Sequence, residues 1–542
     1  MEQSLIDEVT AWIADDPDQK TATQLRQALD AGDEASLKKW FNGFLQFGTA
    51  GLRGPIGPGP SCMNRAVVGR AAAGIARYMK DHGMSKVVIG RDARYGSEDF
   101  TRESAEIFSG AGMDVYVLPR PMATPILAWA TTALKADIGV MVTASHNPPM
   151  DNGYKVYVGP TADGIAYRSS QIISPTDTLM ADAIAAITSL SDQPRGNTWT
   201  VLDDEIFDEY VRRTAALVEK PGNLKVVYTA MHGVGAESVK AVFRAAGFPA
   251  PIMVSAQEHP DPAFPTVAFP NPEEPGAIDL ALETARAQNA DLVIANDPDA
   301  DRCAAAIHDP ERGWRMLSGD ELGILFGEFI ARSGKASIFA NSIVSSSCLK
   351  KIAEHYGVEF RETLTGFKWL AKIENLTFGY EEAIGYGIDL STANDKDGVS
   401  AALYLTHIAT RLAAEGKTIS DLLNEVWQRH GFHGTEQISI RVSDMSQIGL
   451  LLHDIRTNPP SEIAGRAVLA IDDLAAPRDG LPPTEGLRIW CEGVRLIIRP
   501  SGTEPKMKCY IEVITTSRAD GLATLGELRQ PLREFLSQAR SS

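Results

Sequence analysis

Three short apolar segments constrain the fold of this chain most: Lys86-Val87-Val88-Ile89-Gly90, Leu224-Lys225-Val226-Val227-Tyr228 and Ala336-Ser337-Ile338-Phe339-Ala340. Each reads as a strand, is followed by a polar or Gly-containing turn, and then gives way to apolar residues at helical spacing. Strand, helix and strand in alternation is the pattern of an α/β unit. The wide spacing predicts three α/β units of related build and is too long for a solenoid repeat. After His430 the pattern changes to short strands, Glu436–Val442, Ala467–Ile471, Leu487–Cys491, Arg495–Arg499 and Met507–Val513, with helices near Met445–Arg456 and Ala519–Ala539. That predicts a smaller α+β domain.

The first forty or so residues read as a helical arm. Leu5, Val9, Trp12 and Ile13 fall at helical spacing, as do Leu37, Trp40, Phe41 and Phe44, and Asp15-Asp16-Pro17-Asp18 breaks the pattern between them. A Gly-rich loop, Phe47–Gly54, follows. Linkers are expected at Ser191–Asn197, at Asp309–Gly313 and at His430–Gly434; the middle one also reads as a hairpin turn within a domain. The resulting domains are 1–200 (arm and first α/β domain), 201–313, 314–430 and 431–542, within the three or four that the length suggests.

The net charge of -18, from 52 basic and 70 acidic residues, disfavours nucleic acid or an anionic membrane as a partner. It leaves room for an anionic small substrate in a local basic pocket. Five scattered cysteines without a Cys-x-x-Cys pair argue against a disulfide framework or a zinc site. The N-terminus lacks a basic and then apolar signal pattern, and no run of about 18 apolar residues is present. A cytoplasmic location is the expectation.

Four segments carry chemistry. Thr143-Ala144-Ser145-His146-Asn147-Pro148 follows the buried strand predicted at Ile138–Val142. A strand ending on Ser-His places a hydroxyl beside a proton carrier at a loop mouth, as an activated oxygen nucleophile requires. Lys155 follows in Asp151-Asn152-Gly153-Tyr154-Lys155; Asn-Gly is a turn signal, and a turn there folds Lys155 back towards Ser145. The competing reading is a polar loop with a surface lysine. The second segment, Asn296-Asp297-Pro298-Asp299-Ala300-Asp301-Arg302, follows the apolar strand Leu292–Ala295. Carboxylates at alternate positions of an extended chain point to one side. Three of them together call for a cation, and a hard divalent ion, magnesium by default where phosphate is handled, fits oxygen ligands. The competing reading is an acidic surface turn.

The third segment is Gly379-Tyr380-Glu381-Glu382-Ala383-Ile384-Gly385-Tyr386-Gly387. Paired carboxylates suit recognition of sugar hydroxyls; a solvated turn is the rival. The fourth, Arg499-Pro500-Ser501-Gly502-Thr503-Glu504-Pro505-Lys506, combines an arginine, two hydroxyls, a lysine and a Gly-freed amide into an anion nest for a phosphate that does not react. Its rival is an ordinary hairpin. The spacing of a Walker loop is absent.

With these four segments in order, from about Phe47 to Thr515, the chain resembles the α-D-phosphohexomutase superfamily, the phosphoglucomutases and phosphomannomutases. The Phe47–Gly54 loop, Asn271-Pro272-Glu273-Glu274-Pro275 and Thr365-Gly366-Phe367-Lys368-Trp369 are similar to the branch of phosphoglucomutase-2-like enzymes, some of which act on pentose phosphates. The resemblance implies three related α/β domains plus a C-terminal α+β domain around a central cleft. It implies Ser145 as the phosphorylated serine and a fourth magnesium ligand beside Asp297, Asp299 and Asp301. His146 and Lys155 match the acid/base centre, and Arg53 an arginine at the reacting phosphate. Arg302 and Lys368 match basic cleft residues, Glu381 a sugar contact that Glu382 adjoins, and Arg499, Ser501, Gly502 and Thr503 the distal phosphate loop, with Lys506 beside it. Ala383 departs from the serine of many hexose-specific members.

The implied reaction passes the phosphoryl group of phospho-Ser145 to a sugar monophosphate and takes it back from the other end of a bisphosphosugar. Sugar 1-phosphate and 6-phosphate of glucose or mannose would thereby interconvert, with Mg2+ and a glucose 1,6-bisphosphate-type activator, in a monomer or homodimer. Phosphopentomutase or bisphosphosugar synthase activity is the enzymatic alternative. A sensor that binds sugar phosphates without turnover is the alternative from another class.

Overall fold

The computed structural model describes residues 1–48, 51–310, 312–442, 446–478, 480–500 and 506–537. Within the first of two compact units, Met1–Met316 with Ala371–Glu374 and Gly385–Thr410, the strand Lys86–Arg91 is the centre of a parallel trio. Asp114–Val117 pairs with it on one side and Ile138–Val142 on the other. Antiparallel Asp151–Val158 and Leu52–Pro55 extend that sheet on one edge, and Thr200–Val201 on the other. A second trio repeats the arrangement: Val226–Thr229 lies between parallel Ile252–Met253 and Leu292–Asn296. Cys303–Asp309 and Gly313–Met316 continue that sheet as an antiparallel hairpin. Asp309 pairs with Gly313, so the linker expected there falls within a sheet that runs on to Met316.

The second compact unit holds Leu317–Leu370, Asn375–Ile384 and the described residues from Arg411 onward. In it Ile338–Ser342 is again central, between parallel Glu359–Thr363 and Leu376–Glu381. All three trios thus share one strand order, second-first-third in chain sequence. In such an order the connections leave the first strand in opposite directions. A crevice opens at the carboxyl ends of the first and third strands, which is where α/β sheets bind ligands. The last sheet is antiparallel, from Phe432–Arg441 through Lys506–Thr515, Val494–Pro500, Leu487–Cys491 and Arg466–Asp473 to Glu462–Ile463, packed against helices Ser446–Thr457 and Arg518–Ser537 over an Ile- and Leu-rich core.

Two expectations need correction. Phe44 lies beyond the last helix of the arm, Glu34–Trp40, and is 58% exposed. The segment His430–Gly434 is no linker: the helix Ile419–His430 ends on Gly431, in the left-handed region, and Phe432 already begins a strand. The arm, with helices Gln3–Asp15, Gln19–Asp30 and Glu34–Trp40, is docked on the first domain. Asp15 pairs with Arg70 and accepts from the Leu190 and Ser191 amides, while Trp12 lies under the Arg70 guanidinium.

Candidate active site

The third strand of the first trio, Ile138–Val142, is buried along its length and feeds Thr143 and Ser145 into the interior. Ser145 adopts φ 51, a left-handed conformation that costs a non-glycine residue about 1–2 kcal/mol and persists only where neighbours over-determine it. Its Oγ donates to Asp297 Oδ2 at 2.6 Å, and His146 Nδ1 lies 3.2 Å from the same oxygen. Burial, with Arg302 and Arg53 nearby, holds the His146 imidazole well below its ordinary value, so it is neutral. Arg53, on the strand Leu52–Pro55, donates to Asn147 Oδ1 at 3.2 Å.

Asp297, Asp299 and Asp301 follow the third strand of the second trio, Leu292–Asn296. Their carboxylate oxygens lie within 4.8 Å of one another, all buried. An extended chain is not what gathers them. The Ala300 amide donates to the Asp297 carbonyl at 2.9 Å with Ala300 at φ 55, so a turn makes the carboxylates converge. Lys155 donates to Asp299 Oδ2 at 2.7 Å and Asp301 Oδ2 at 2.8 Å, and Thr124 Oγ1 to Asp299 Oδ2 at 2.7 Å. Lys155 does not get there by a turn at Asn152-Gly153. Both residues lie inside the strand Asp151–Val158, between Leu52–Pro55 and Ile138–Val142. Gly153 answers a close approach instead: a Cβ there would stand 2.5 Å from the Thr143 carbonyl oxygen and 2.8 Å from that of Leu52.

Burial, together with Asp299 and Asp301, pushes the Asp297 carboxyl well up. Burial also opposes charge on Asp299 and Asp301, yet Lys155 holds both below the usual carboxylate range. Burial likewise disfavours the Lys155 ammonium, but the two carboxylates outweigh it and keep that amine charged. Asp299 Oδ1 and Asp301 Oδ1 are buried without a hydrogen-bond donor. Convergent, hard, under-satisfied oxygens fit a divalent cation, for which Asp297, Asp299 and Asp301 are the ligands the chain offers. Arg302 caps this loop through its amide, 3.0 Å from Asp297 Oδ1, with its side chain 3.9 Å from Asp301.

Sequence reasoning passed over several residues of this cluster. Lys396 lies 3.4 Å from both Asp301 and Asp395, and Asp-Lys-Asp-Gly carries no spacing that announces it. Asp92 and Arg94 follow the first strand of the first trio, the position whose equivalent after the third strand had drawn attention to Ser145. Arg94 donates to backbone carbonyls, which a sequence does not display, and Asp92 accepts from the hydroxyls of Ser97 and Thr143, the latter some fifty residues away in the chain.

In the second unit, Glu381 ends the third strand of the third trio and Glu382 follows it. Glu382 Oε2 accepts from the hydroxyls of Ser342 and Ser345, each at 3.1 Å. Glu381 Oε1 accepts from the Gly366 amide at 2.7 Å, which brings in the short helix Phe367–Leu370 that carries Lys368. Arg499 lies one residue before the end of the strand Val494–Pro500, opposite Lys508, and Lys506 opens the neighbouring strand opposite Arg441. Arg499 meets the glutamates at Tyr510. Burial, Glu382 and Glu381 push that phenol up while Arg499 pulls against them. Ser501, Gly502 and Thr503 lie outside the described residues.

Comparison with known proteins gives a consistent result across the chain. Models of phosphoglucomutase/phosphomannomutase alpha/beta/alpha domains I, II and III match residues 45–173, 208–311 and 318–430, and that of the C-terminal domain matches 456–524. A Haemophilus influenzae protein named "probable phosphomannomutase" is 44% identical over 88% of this chain and 98% of its own. The mouse "phosphopentomutase" is 33% identical over 95% of this chain and 91% of its own. The crystal structure of a phosphoglucomutase/phosphomannomutase family protein from Burkholderia thailandensis superposes with TM-score 0.71 at 20% identity, covering 91% of this chain and 97% of that one. No helix among the described residues is long and apolar enough to cross a membrane.

Proposed function

The chain belongs to the phosphoglucomutase/phosphomannomutase family and is a phosphosugar mutase, an isomerase; from that premise we propose that it interconverts the 1- and 6-phosphates of glucose or mannose through phospho-Ser145 and a bisphosphosugar. The carrying observation is the Ser145 Oγ, buried beside His146 and hydrogen-bonded to the first of three clustered aspartates. A sugar hydroxyl attacks the phosphorus of phospho-Ser145. The new O–P bond forms as the P–Oγ bond breaks, and the hydroxyl proton passes to His146 or Lys155. His146 is neutral and able to accept it. Lys155 is an ammonium shared by Asp299 and Asp301, and accepts a proton only once those carboxylates no longer hold its charge. The freed Oγ takes a proton back from His146, whose Nδ1 lies 3.2 Å away, and as a hydroxyl donates to Asp297 as observed. Magnesium bound by Asp297, Asp299 and Asp301 with an oxygen at Ser145 would supply positive charge against the phosphoryl oxygens.

The bisphosphosugar then reverses and returns its other phosphate to Ser145. Arg53 and Arg302 face the reacting phosphate. Arg499, Ser501, Gly502, Thr503 and Lys506 hold the other, and Glu381, Glu382 and Lys368 the sugar. A simple phosphatase needs only one phosphate site. The activator is a bisphosphosugar of the glucose 1,6-bisphosphate type. The enzyme works in the cytoplasm as a monomer or homodimer, without nucleic acid or membrane.

The 44% identity to the Haemophilus influenzae protein favours a hexose. Ala383, where many hexose-specific members have serine, keeps a pentose phosphate as the second reading, in line with the mouse relative. The test is turnover with magnesium and a trace of bisphosphosugar on glucose 1-phosphate, mannose 1-phosphate and ribose 1-phosphate. Hexose turnover above ribose, abolished in Ser145→Ala, is expected. Ribose as the best substrate reverses the sugar assignment, and normal turnover by Ser145→Ala overturns the mechanism.

A further inference from the structure

We propose that Arg94, with Asp92 and Thr143, is the positioning device that holds Ser145 in its reactive geometry, by closing a ring of polar contacts around that one residue. The ring can be traced atom by atom. The Ser145 amide donates to Thr143 Oγ1 at 2.9 Å. Thr143 Oγ1 donates to Asp92 Oδ2 at 2.7 Å. Asp92 Oδ2 faces Arg94 Nε at 3.4 Å, and Arg94 Nη2 returns to the Ser145 carbonyl at 2.6 Å. Both peptide groups that flank the left-handed Ser145 are therefore fixed by one circuit. Ser145 needs such a circuit, because its backbone conformation is unfavourable on its own.

Arg94 does more than close the ring. Its two terminal nitrogens also donate to the carbonyls of Asn147 at 2.6 Å, Pro148 at 2.8 Å and Asp151 at 3.2 Å. The whole loop from the nucleophile to the strand of Lys155 is thus gathered on one guanidinium. The face of that guanidinium lies 4.9 Å from the centre of the Phe264 ring, which comes from the chain that also builds the aspartate sheet. Asp92 is itself fixed by the Ser97 hydroxyl at 2.6 Å and the Arg94 amide at 3.0 Å. Arg94 and Asp92 are buried, 4% and 1% exposed, and the Arg94 guanidinium is engaged by four backbone carbonyls and Asp92. Arg94 therefore acts on Ser145 by positioning it.

A planar fork makes this geometry, and a lysine ammonium cannot reach so many carbonyls at once. The proposal rests on Ser145 as the nucleophile, so Ser145→Ala is measured alongside. Arg94→Lys should lower kcat at least about a hundredfold while KM for the sugar phosphate changes less than about threefold. It should slow phosphorylation of Ser145 by glucose 1,6-bisphosphate, followed by mass spectrometry, to the same degree. Arg94 variants can fail to fold, so Thr143→Val provides the second probe: it keeps the shape, cuts the ring, and should lower kcat at least about tenfold, with Thr143→Ser recovering most of the loss. If Ser145→Ala is inactive while folded Arg94→Lys or Thr143→Val keeps kcat within about threefold of the parent, the positioning device is overturned and the nucleophile stands. If Ser145→Ala is active, the nucleophile assignment itself falls. A rise in KM with unchanged kcat would also overturn the proposal, since it would place Arg94 in substrate binding.

Discussion

Glu382 shows how strongly a buried position reshapes one side chain. Burial, then Glu381 and Asp320, push its carboxyl from 4.5 up to about 7. The folded protein therefore keeps a proton on Glu382 between pH 4.5 and 7 that the unfolded chain releases, so its contribution to stability falls as pH rises through that window, by roughly 3 kcal/mol at most. Glu512 works in the opposite sense. Burial opposes its charge, but Arg495 and His433 hold it down at about 2, so the stability it contributes is present above 4.5 and lost as pH falls towards 2. Glu382→Gln should flatten the loss of stability between pH 4.5 and 7 in urea unfolding and leave the acid limb intact; an unchanged profile would refute the assignment. Single residues were also where sequence reading was least secure. Ser145, His146, Lys155 and the three aspartates do meet, yet Lys155 arrives from within a strand and the aspartates through a turn. Arg94 stayed hidden because the carbonyls it gathers belong to no residue type.

At the scale of elements, one arrangement recurs. The loop after the first strand of each trio braces the loop after the third. Asp92 and Arg94 hold Ser145. The Val234 amide donates to the Pro298 carbonyl beside the aspartates at 2.9 Å. Ser342 and Ser345 hold Glu382. The strands themselves were legible, because buried parallel strands write long apolar runs. Their strand order was not, since pairing partners are distant in sequence. Gly153 ties two of these elements together, and its environment gives a direct prediction. In Gly153→Ala the new methyl group meets the backbone oxygens of Leu52 and Thr143, one on either side, which cannot swing aside. A loss of about 2–3 kcal/mol in stability is expected by denaturant unfolding, with weaker turnover because Arg53 and Ser145 ride on the strands pushed apart.

At the scale of the whole molecule, the arm lies ahead of the family models, the first of which starts at residue 45. It is nonetheless anchored. Asp15, held at about 2 by the Leu190 and Ser191 amides and Arg70 against the cost of its burial, is the main polar anchor. Asp15→Ala should cost about 2–3 kcal/mol and expose the Asp16-Pro17-Asp18 stretch to limited proteolysis; protease resistance equal to the parent's would mean that the apolar contacts of Trp12 suffice. Apolar spacing made a helical arm legible, while its anchor, an acidic residue meeting amides some 175 residues on, left no trace in local pattern.

The first compact unit is not one stretch of chain: it takes residues up to Met316, then Ala371–Glu374 and Gly385–Thr410. That has a consequence in time. A ribosome releases Ser145 and all three aspartates long before Asp395, Lys396 and Asp397, yet the buried hydroxyls of Tyr157 and Tyr210 donate to Asp395 and Asp397. Until those late residues emerge, the two buried hydroxyls lack the carboxylates they donate to, so the finished packing around them waits for sequence made farther downstream. Synthesis order thus gives this enzyme a built-in delay between making its nucleophile and finishing the ground it stands on.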